Sequence, residues 1–290
     1  MDLCNAQTIK DLLGRQGFSF SKSLGQNFLT ARWVIDEMIE CAGLDAGTGV
    51  LEIGPGIGCL TAELAEHSGK VAAVELDRRL EPLLHETLAG FDNVELIFSD
   101  VLKLDIQSLV RECFPGLFPV VCANLPYNIT TPLLTRLIDA RCFEYITVMV
   151  QREVARRICA EPGTSDYGAF SVYARWHTVP EIVFDIPPDC FMPRPKVWSS
   201  VVRLTVRGTP PVAVASEKFF ERVVRAAFMQ RRKTLRNAIG AGFPELTKAE
   251  AEWLIINAGI DPGLRGEVLG CAEFATIADA IYEYVSSESD

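Results

Sequence analysis

Asn124-Leu125-Pro126-Tyr127, within VVCANLPYNIT, carries residue types suited to holding a flat, amino-bearing ring. The Asn carbonyl oxygen can accept from an exocyclic amine, and the Tyr ring offers a stacking face. FPVVCA ahead of the motif reads as a short buried strand, and TTPLLTRLIDA behind it reads as a helix start. The four residues therefore fall at the carboxyl end of a strand, where open α/β sheets hold their ligands. Asn and Pro are also common turn residues, so the motif on its own fits a strand-end turn equally well.

A second chemical signal lies upstream. In Leu51-Glu52-Ile53-Gly54-Pro55-Gly56-Ile57-Gly58-Cys59-Leu60 a glycine-rich turn separates the strand VLEI from the helix TAELAEHS. Glycines there permit positive φ and let a ligand come close to backbone. The dinucleotide fingerprint is G-x-G-x-x-G. Here the spacing is G-x-G-x-G, Cys59 stands where the third glycine would fall, and Glu52 sits two places before Gly54. These features point away from nicotinamide dehydrogenases and toward S-adenosylmethionine enzymes. The next strand, KVAAVELD, brings Glu75 to its end, where a carboxylate can take both hydroxyls of a ribose. The strand after it, NVELIFSD, ends in Asp100, placed to meet the adenine amine of a cofactor. Asp77 and Asp105 read as solvated or helix-capping. Three successive strand ends of this kind are much more specific than any one alone.

Positioning these residues requires a sheet whose strands all end on one side. The chain alternates strand and helix patterns, which predicts an α/β fold. Residues 5–16 have helical spacing at Ile9, Leu12 and Leu13, and 31–42 place Trp33, Val34, Met38 and Ile39 on one side of a helix. FSFSKSLGQNFLT between them is polar and predicts no regular structure. A fifth strand, YITVMV, leads into Arg152, Arg156 and Arg157 on one helical face, and DYGAFSVYARWH predicts a further helix. EIVFDI and SSVVRLTV are strands joined by the proline-rich loop PPDCFMPRPKVW, long enough to reach a ligand.

The best linker is RGTPPVAVAS, residues 207–216, after which the strand pattern stops. The expected division is a first domain over 1–206, with 1–42 as an N-terminal helical extension, and a helical domain over 217–290. Residues 217–240 set Phe219, Val223, Ala227 and Met229 or Gln230 at helical intervals. They concentrate Lys218, Arg222, Arg225, Arg231, Arg232, Lys233 and Arg236 against Glu217 and Glu221 alone. A solvated face interleaves signs more evenly, so this stretch reads as a surface for a phosphate backbone. Arg225, Arg231, Arg232, Lys233 and Arg236 are its candidate RNA contacts, with Arg152 a further one.

Composition narrows the classes. The 290 residues allow one large domain and a small one, and 49% hydrophobic content supports a sizeable core. A net charge of −10 argues against indiscriminate nucleic-acid binding but permits a local basic face. Nine cysteines in an odd, scattered set without a CxxC pair support neither a disulfide framework nor a zinc cluster. A reducing cytoplasm is expected, with no metal, no membrane span and no targeting signal.

SLGQNFL, LEIGPGIGCLT, VELD, the Asp100 strand end, NLPYNIT, FMPRPKVWSSVVRL, QRRKTLRN and DPGLRGEVL occur in this order from about residue 20 to about residue 280. Together they resemble the small-subunit ribosomal RNA adenine dimethyltransferases, and the bacterial members more than the mitochondrial ones. The resemblance implies a doubly wound, mostly parallel seven-stranded class I methyltransferase sheet followed by a small all-helical domain. It implies transfer of two methyl groups from S-adenosylmethionine to N6 of each of two adjacent adenosines near the 3′ end of the small-subunit rRNA. The expected partner is the immature small subunit, met by a monomer. By motif, Asn27 and Leu29 should touch the cofactor and Gly54 should sit under it. Glu75 should hold its ribose, Asp100 should meet its adenine, and Asn124 should border both cofactor and substrate. Asn124 to Tyr127 should hold the target base. Two departures stand out: Ala169-Phe170 where an Arg-Leu pair is usual, and Trp198 where an Asp is usual. Other readings remain: a large-subunit rRNA methyltransferase, a nicotinamide dehydrogenase, or a ribosome-assembly factor in which binding outweighs catalysis.

Overall fold

Strands buried on both faces of a parallel sheet are near-continuous apolar runs, and such runs form the strands Thr48–Ile53, Lys70–Glu75, Phe118–Asn124 and Tyr145–Gln151. The computed structural model describes residues 2–15, 17–18, 26–230 and 232–287. The strands are β1 (Phe28–Leu29), β2 (Thr48–Ile53), β3 (Lys70–Glu75), β4 (Val94–Phe98), β5 (Phe118–Asn124), β6 (Tyr145–Gln151), β7 (Thr178–Ile186), β8 (Phe191–Met192) and β9 (Ser199–Val206). Seven of them form one sheet in the order β4-β3-β2-β5-β6-β9-β7. From β4 to β6 every pairing is parallel, and β9 runs antiparallel to β6. The chain builds outward from β2 through β3 to β4, then returns to β5 on the other side of β2. Strand order therefore reverses between β2 and β5, and a crevice opens there at the carboxyl ends. This is the doubly wound sheet expected of a class I methyltransferase.

Two compact units divide the chain: Met1–Ala155 with Pro180–Val206, and Arg156–Val179 with Arg207–Asp290. In the first unit, helices Ala6–Arg15 and Arg32–Ala42 bury Ile9, Leu12, Leu13, Val34, Ile35 and Met38 in the same apolar cluster as Val50, Val71 and Cys122 of the sheet. The second unit is mainly helical. Trp176 stacks on Phe220 with ring centroids 3.7 Å apart, and the Tyr167 hydroxyl donates to the Leu269 carbonyl at 2.8 Å. These contacts draw residues 156–179 into the helical unit, although the sequence pattern grouped them with the first domain. No short-range signal marks that change, because the partners of Trp176 and Tyr167 lie far along the chain.

Three local expectations differ from what is observed. Phe28–Leu29, expected to be irregular, pairs antiparallel with Phe191–Met192 of the proline-rich loop, Phe28 opposite Met192 and Leu29 opposite Phe191. A two-residue strand has no periodicity to detect. Trp33 was expected on the buried face of its helix; instead Ile35 is fully buried, and Trp33 is 45% exposed against Phe184, 5.8 Å away. Residues 217–240 form two helices, Glu217–Met229 and Leu235–Gly242. The buried face of the first is Phe220, Val223, Val224, Ala226 and Ala227, and Met229 is exposed.

Candidate active site

A cavity of about 240 Å³ lies at the carboxyl ends of β2, β3, β4 and β5 in the first unit. Its wall includes Asn27, Leu29, Gly54, Glu75, Asp100, Asn124, Leu125, Pro126 and Tyr127. The residues singled out at separate strand ends thus meet in one place, because parallel strands deliver all their carboxyl ends to the same edge.

The glycine turn forms the floor. Gly54 has φ +73° and faces the Asn124 turn; a Cβ there would stand 3.7 Å from the Pro126 ring. Gly56 has φ +61°, and a Cβ would come within 3.0 Å of the Phe28 ring. A side chain at either position is strained in this backbone, and at Gly56 it would also crowd the Phe28 ring.

Glu75 is 7% exposed. Its Oε1 accepts from the Asp77 N–H at 2.8 Å and its Oε2 from the Gly56 N–H at 3.4 Å. Burial pushes its pKa up, and the backbone N–H groups of Asp77, Gly56 and Leu76 pull against that. Asp77 is buried rather than solvated. It accepts from the Arg79 N–H, capping a short 3-10 turn, pairs with the Arg79 guanidinium at 2.6 Å and accepts from Gln26 Nε2 at 2.8 Å. The Arg79 guanidinium is the main cause holding its carboxyl below the usual range. Gln26 thereby ties the β1 segment to the end of β3, a link that sequence patterns did not mark. Asp100 accepts from the Leu102 N–H at 3.0 Å through Oδ1, and its Oδ2 lies 3.6 Å from Lys103 Nζ.

Glu52 had no assigned role. It lines the cavity at 1% exposure, and burial pushes its pKa up to about 8. Thr61 is its polar neighbour, yet neither Thr61 Oγ1 nor Glu52 Oε2 makes a hydrogen bond among the described residues. Glu52 Oε2, buried beside the glycine turn without a partner among the described residues, fits a polar group of a ligand seated on this wall.

The Asn124 turn is held from several sides. Asn124 Nδ2 donates to the Asn27 carbonyl at 3.3 Å. The Leu125 N–H donates to the Met149 carbonyl at 3.1 Å, and Thr130 Oγ1 to the Pro126 carbonyl at 3.1 Å. The Tyr127 hydroxyl lies 2.6 Å from Ser199 Oγ. Burial raises the Tyr127 pKa and the Ser199 bond partly offsets it, so the phenol stays neutral. Asn27 holds one Nδ2 hydrogen of Asn124, and Oδ1 makes no hydrogen bond among the described residues.

The profile of the ribosomal RNA adenine dimethylase family matches residues 17–282. The chain belongs to this family. The ribosomal RNA small subunit methyltransferase A of Geobacillus thermodenitrificans is 45% identical over 284 residues, covering 97% of each chain. The protein of the same name from Anoxybacillus flavithermus is 44% identical over 99% of each. Among solved structures, the 23S rRNA methyltransferase ErmE superposes with a TM-score of 0.69 at 27% identity, covering 88% of this chain and 100% of that one. A dimethyladenosine transferase from Plasmodium falciparum shares the fold with a TM-score of 0.76 at 23% identity, over 90% of this chain and 98% of its own.

The cavity wall brings together the carboxyl groups of Glu52, Glu75 and Asp100, the glycine turn, and the Asn124 carboxamide with Tyr127. No group of three or more His, Cys, Asp or Glu able to hold a metal occurs among the described residues. No described helix is long and apolar enough to cross a membrane.

The candidate RNA contacts are placed differently. Arg225, Arg232 and Lys233 are exposed in the helical unit. Arg231 lies outside the described residues. Arg236 pairs with Glu252 at 3.2 Å while remaining half exposed. Arg222 turns inward: it forms a two-point contact with Glu245 at 2.5 and 2.8 Å, bonds the Gly242 carbonyl and stacks over Phe243. Arg152 belongs to the first unit, where its guanidinium lies over Trp198 and 3.8 Å from Asp185.

Proposed function

We propose that this chain transfers two methyl groups from S-adenosylmethionine to N6 of each of two adjacent adenosines near the 3′ end of the small-subunit rRNA. In this reading it is a cytoplasmic monomer acting on an immature small subunit, with the basic residues of the helical unit meeting phosphates. The observation that carries it is the Asn124 amide, fixed through Asn27 in the same cavity wall as Glu75 and Asp100. Relatives at 43–45% identity named as small-subunit enzymes favour that target over the large subunit, since the 23S rRNA enzyme stands at 27%.

S-adenosylmethionine, when bound, supplies an electrophilic sulfonium methyl and leaves as a neutral thioether. Glu75 would accept from its ribose hydroxyls, Asp100 from its adenine amine, and Gly54 would let it approach the backbone. Adenine N6 is a weak nucleophile because its lone pair is delocalised into the ring. Asn124 Oδ1 and the Leu125 carbonyl, accepting its two hydrogens, favour a pyramidal nitrogen whose lone pair points at the methyl. Pro126 stiffens the turn and brings no competing N–H. Tyr127 stacks on the extruded base. The nitrogen gains the methyl and sheds a proton to water, so no side-chain base is required. Rate enhancement then comes from positioning and from fixed dipoles.

Methyl transfer from labelled cofactor to unmethylated small subunits, with mono- and dimethyladenosine resolved, tests this. Dimethyladenosine at adjacent positions near the 3′ end is expected. Label in large-subunit rRNA alone, or tight subunit binding without transfer, would replace the reading with a large-subunit enzyme or an assembly factor.

A further inference from the structure

Trp198 does not line the cavity described above, and at 41% exposure it is nevertheless held by neighbouring groups. Its carbonyl accepts from the Arg152 N–H at 2.9 Å, and the Arg152 guanidinium lies 5.0 Å from its ring centroid. Asp185 stands 3.8 Å from that guanidinium and also accepts from Ser200 Oγ at 2.5 Å. The next residue in the chain is Ser199, whose Oγ meets the Tyr127 hydroxyl. Ser199 is opposite Gln151 in the β6–β9 register, so Trp198 lies just past the carboxyl end of β6, on the ligand edge of the sheet. The loop leading to it carries Arg194 and Lys196, both exposed and neither ion-paired among the described residues.

The geometry points to Trp198, backed by Arg152, as a stacking platform for an unpaired nucleobase next to the target adenosine. This rests on the rRNA reading above. Extruding one base into the Tyr127 cavity breaks its stacking with its neighbours, whose faces are then left in water. An exposed indole one residue from the Tyr127 anchor is placed to recover that stacking, and single-stranded RNA is held in this way by aromatic and guanidinium faces. Arg152 supports one part of the ring by a cation–π contact, while Arg194 and Lys196 supply charge complementary to the phosphates on either side. A ring this exposed contributes little to the core, and Asp185, 3.8 Å from the Arg152 guanidinium, pairs with its charge without help from the ring.

The test compares wild type, Trp198→Ala and Trp198→Phe on unmethylated small subunits, measuring initial rates against subunit concentration and cofactor affinity by calorimetry. Stacking of one base on an aromatic side chain corresponds to a loss of about five- to 160-fold on truncation. Trp198→Ala should raise KM for subunits by about tenfold, with kcat and cofactor affinity near wild type, and Trp198→Phe should recover most of the loss. An unchanged subunit KM in an active Trp198→Ala protein overturns the platform alone. Equal damage in both variants together with weakened cofactor binding also overturns it, making Trp198 a support for Ser199 and Tyr127. A wild-type protein that methylates no small subunits overturns the proposed function and the platform with it.

Discussion

The Asn124 side-chain amide donates to the Asn27 carbonyl at 3.3 Å across 97 residues of chain. That bond holds one of the two Nδ2 hydrogens, and Oδ1, without a hydrogen bond among the described residues, is available to accept. It also couples the Asn124 turn to the β1 segment, which lines the same cavity.

Asn124→Ala removes this acceptor and leaves the basic helical unit intact. Turnover should fall by on the order of 10²-fold or more, by analogy with losing one preorganised dipole in an oxyanion hole. Subunit affinity should persist, since phosphate contacts dominate it. Dimethyladenosine yield and subunit affinity measured on the same variant decide the matter. Near-normal dimethylation would leave Asn124 as a strand-end turn residue only.

Glu75→Ala should weaken S-adenosylmethionine by about 1–3 kcal/mol, the scale of lost charged hydrogen bonds. Because burial raises the Glu75 pKa, wild-type cofactor affinity should also begin to decline at a higher pH on the acid side than an ordinary carboxylate would allow. Calorimetry across pH checks both, and affinity equal to wild type in the variant would remove Glu75 from the ribose site.

Glu52 links the cavity wall to stability. Its folded pKa of about 8 lies above the ordinary 4.5 of the unfolded chain. The folded state therefore keeps a proton that the unfolded chain has lost between those values. Stability from this group is full below about pH 4.5 and falls as pH rises toward 8, by at most about 1.4 kcal/mol per pH unit. Glu52→Gln keeps the shape without the titration and should flatten the decline. Urea unfolding of both proteins between about pH 5 and pH 8 measures it; parallel curves would show that Glu52 ionises freely in the fold. Glu75 acts in the same direction, and the difference between the two proteins isolates Glu52.

Replacing Arg232 and Lys233 together with Ala should weaken subunit binding and reduce its salt slope by about one unit per lost phosphate contact. Cofactor affinity should stay the same. A salt slope identical to wild type would make the pair a solvated surface. Arg222→Ala makes a useful contrast: its two-point contact with Glu245 predicts a loss of stability first.

The cavity wall was legible because it is built from strand ends. Once β2, β3, β4 and β5 are recognised as parallel strands, their carboxyl ends share one edge, and Gly54, Glu75, Asp100 and Asn124 must converge there. Alternation of strand and helix patterns, glycine spacing and residue chemistry are all short-range signals, and they sufficed for the sheet and its ligand edge. Tertiary structure alone decided the rest. Pairing of Phe28–Leu29 with Phe191–Met192 joins segments too short to show a period. The grouping of residues 156–179 with the helical unit depends on Trp176 meeting Phe220. Arg222 and Arg225 belong to one cationic run, but their different places on the helix turn one inward to Glu245 and leave the other exposed. The acidity of Glu52 follows from burial, a property of what surrounds a residue in space, and neighbours in sequence do not specify that surrounding.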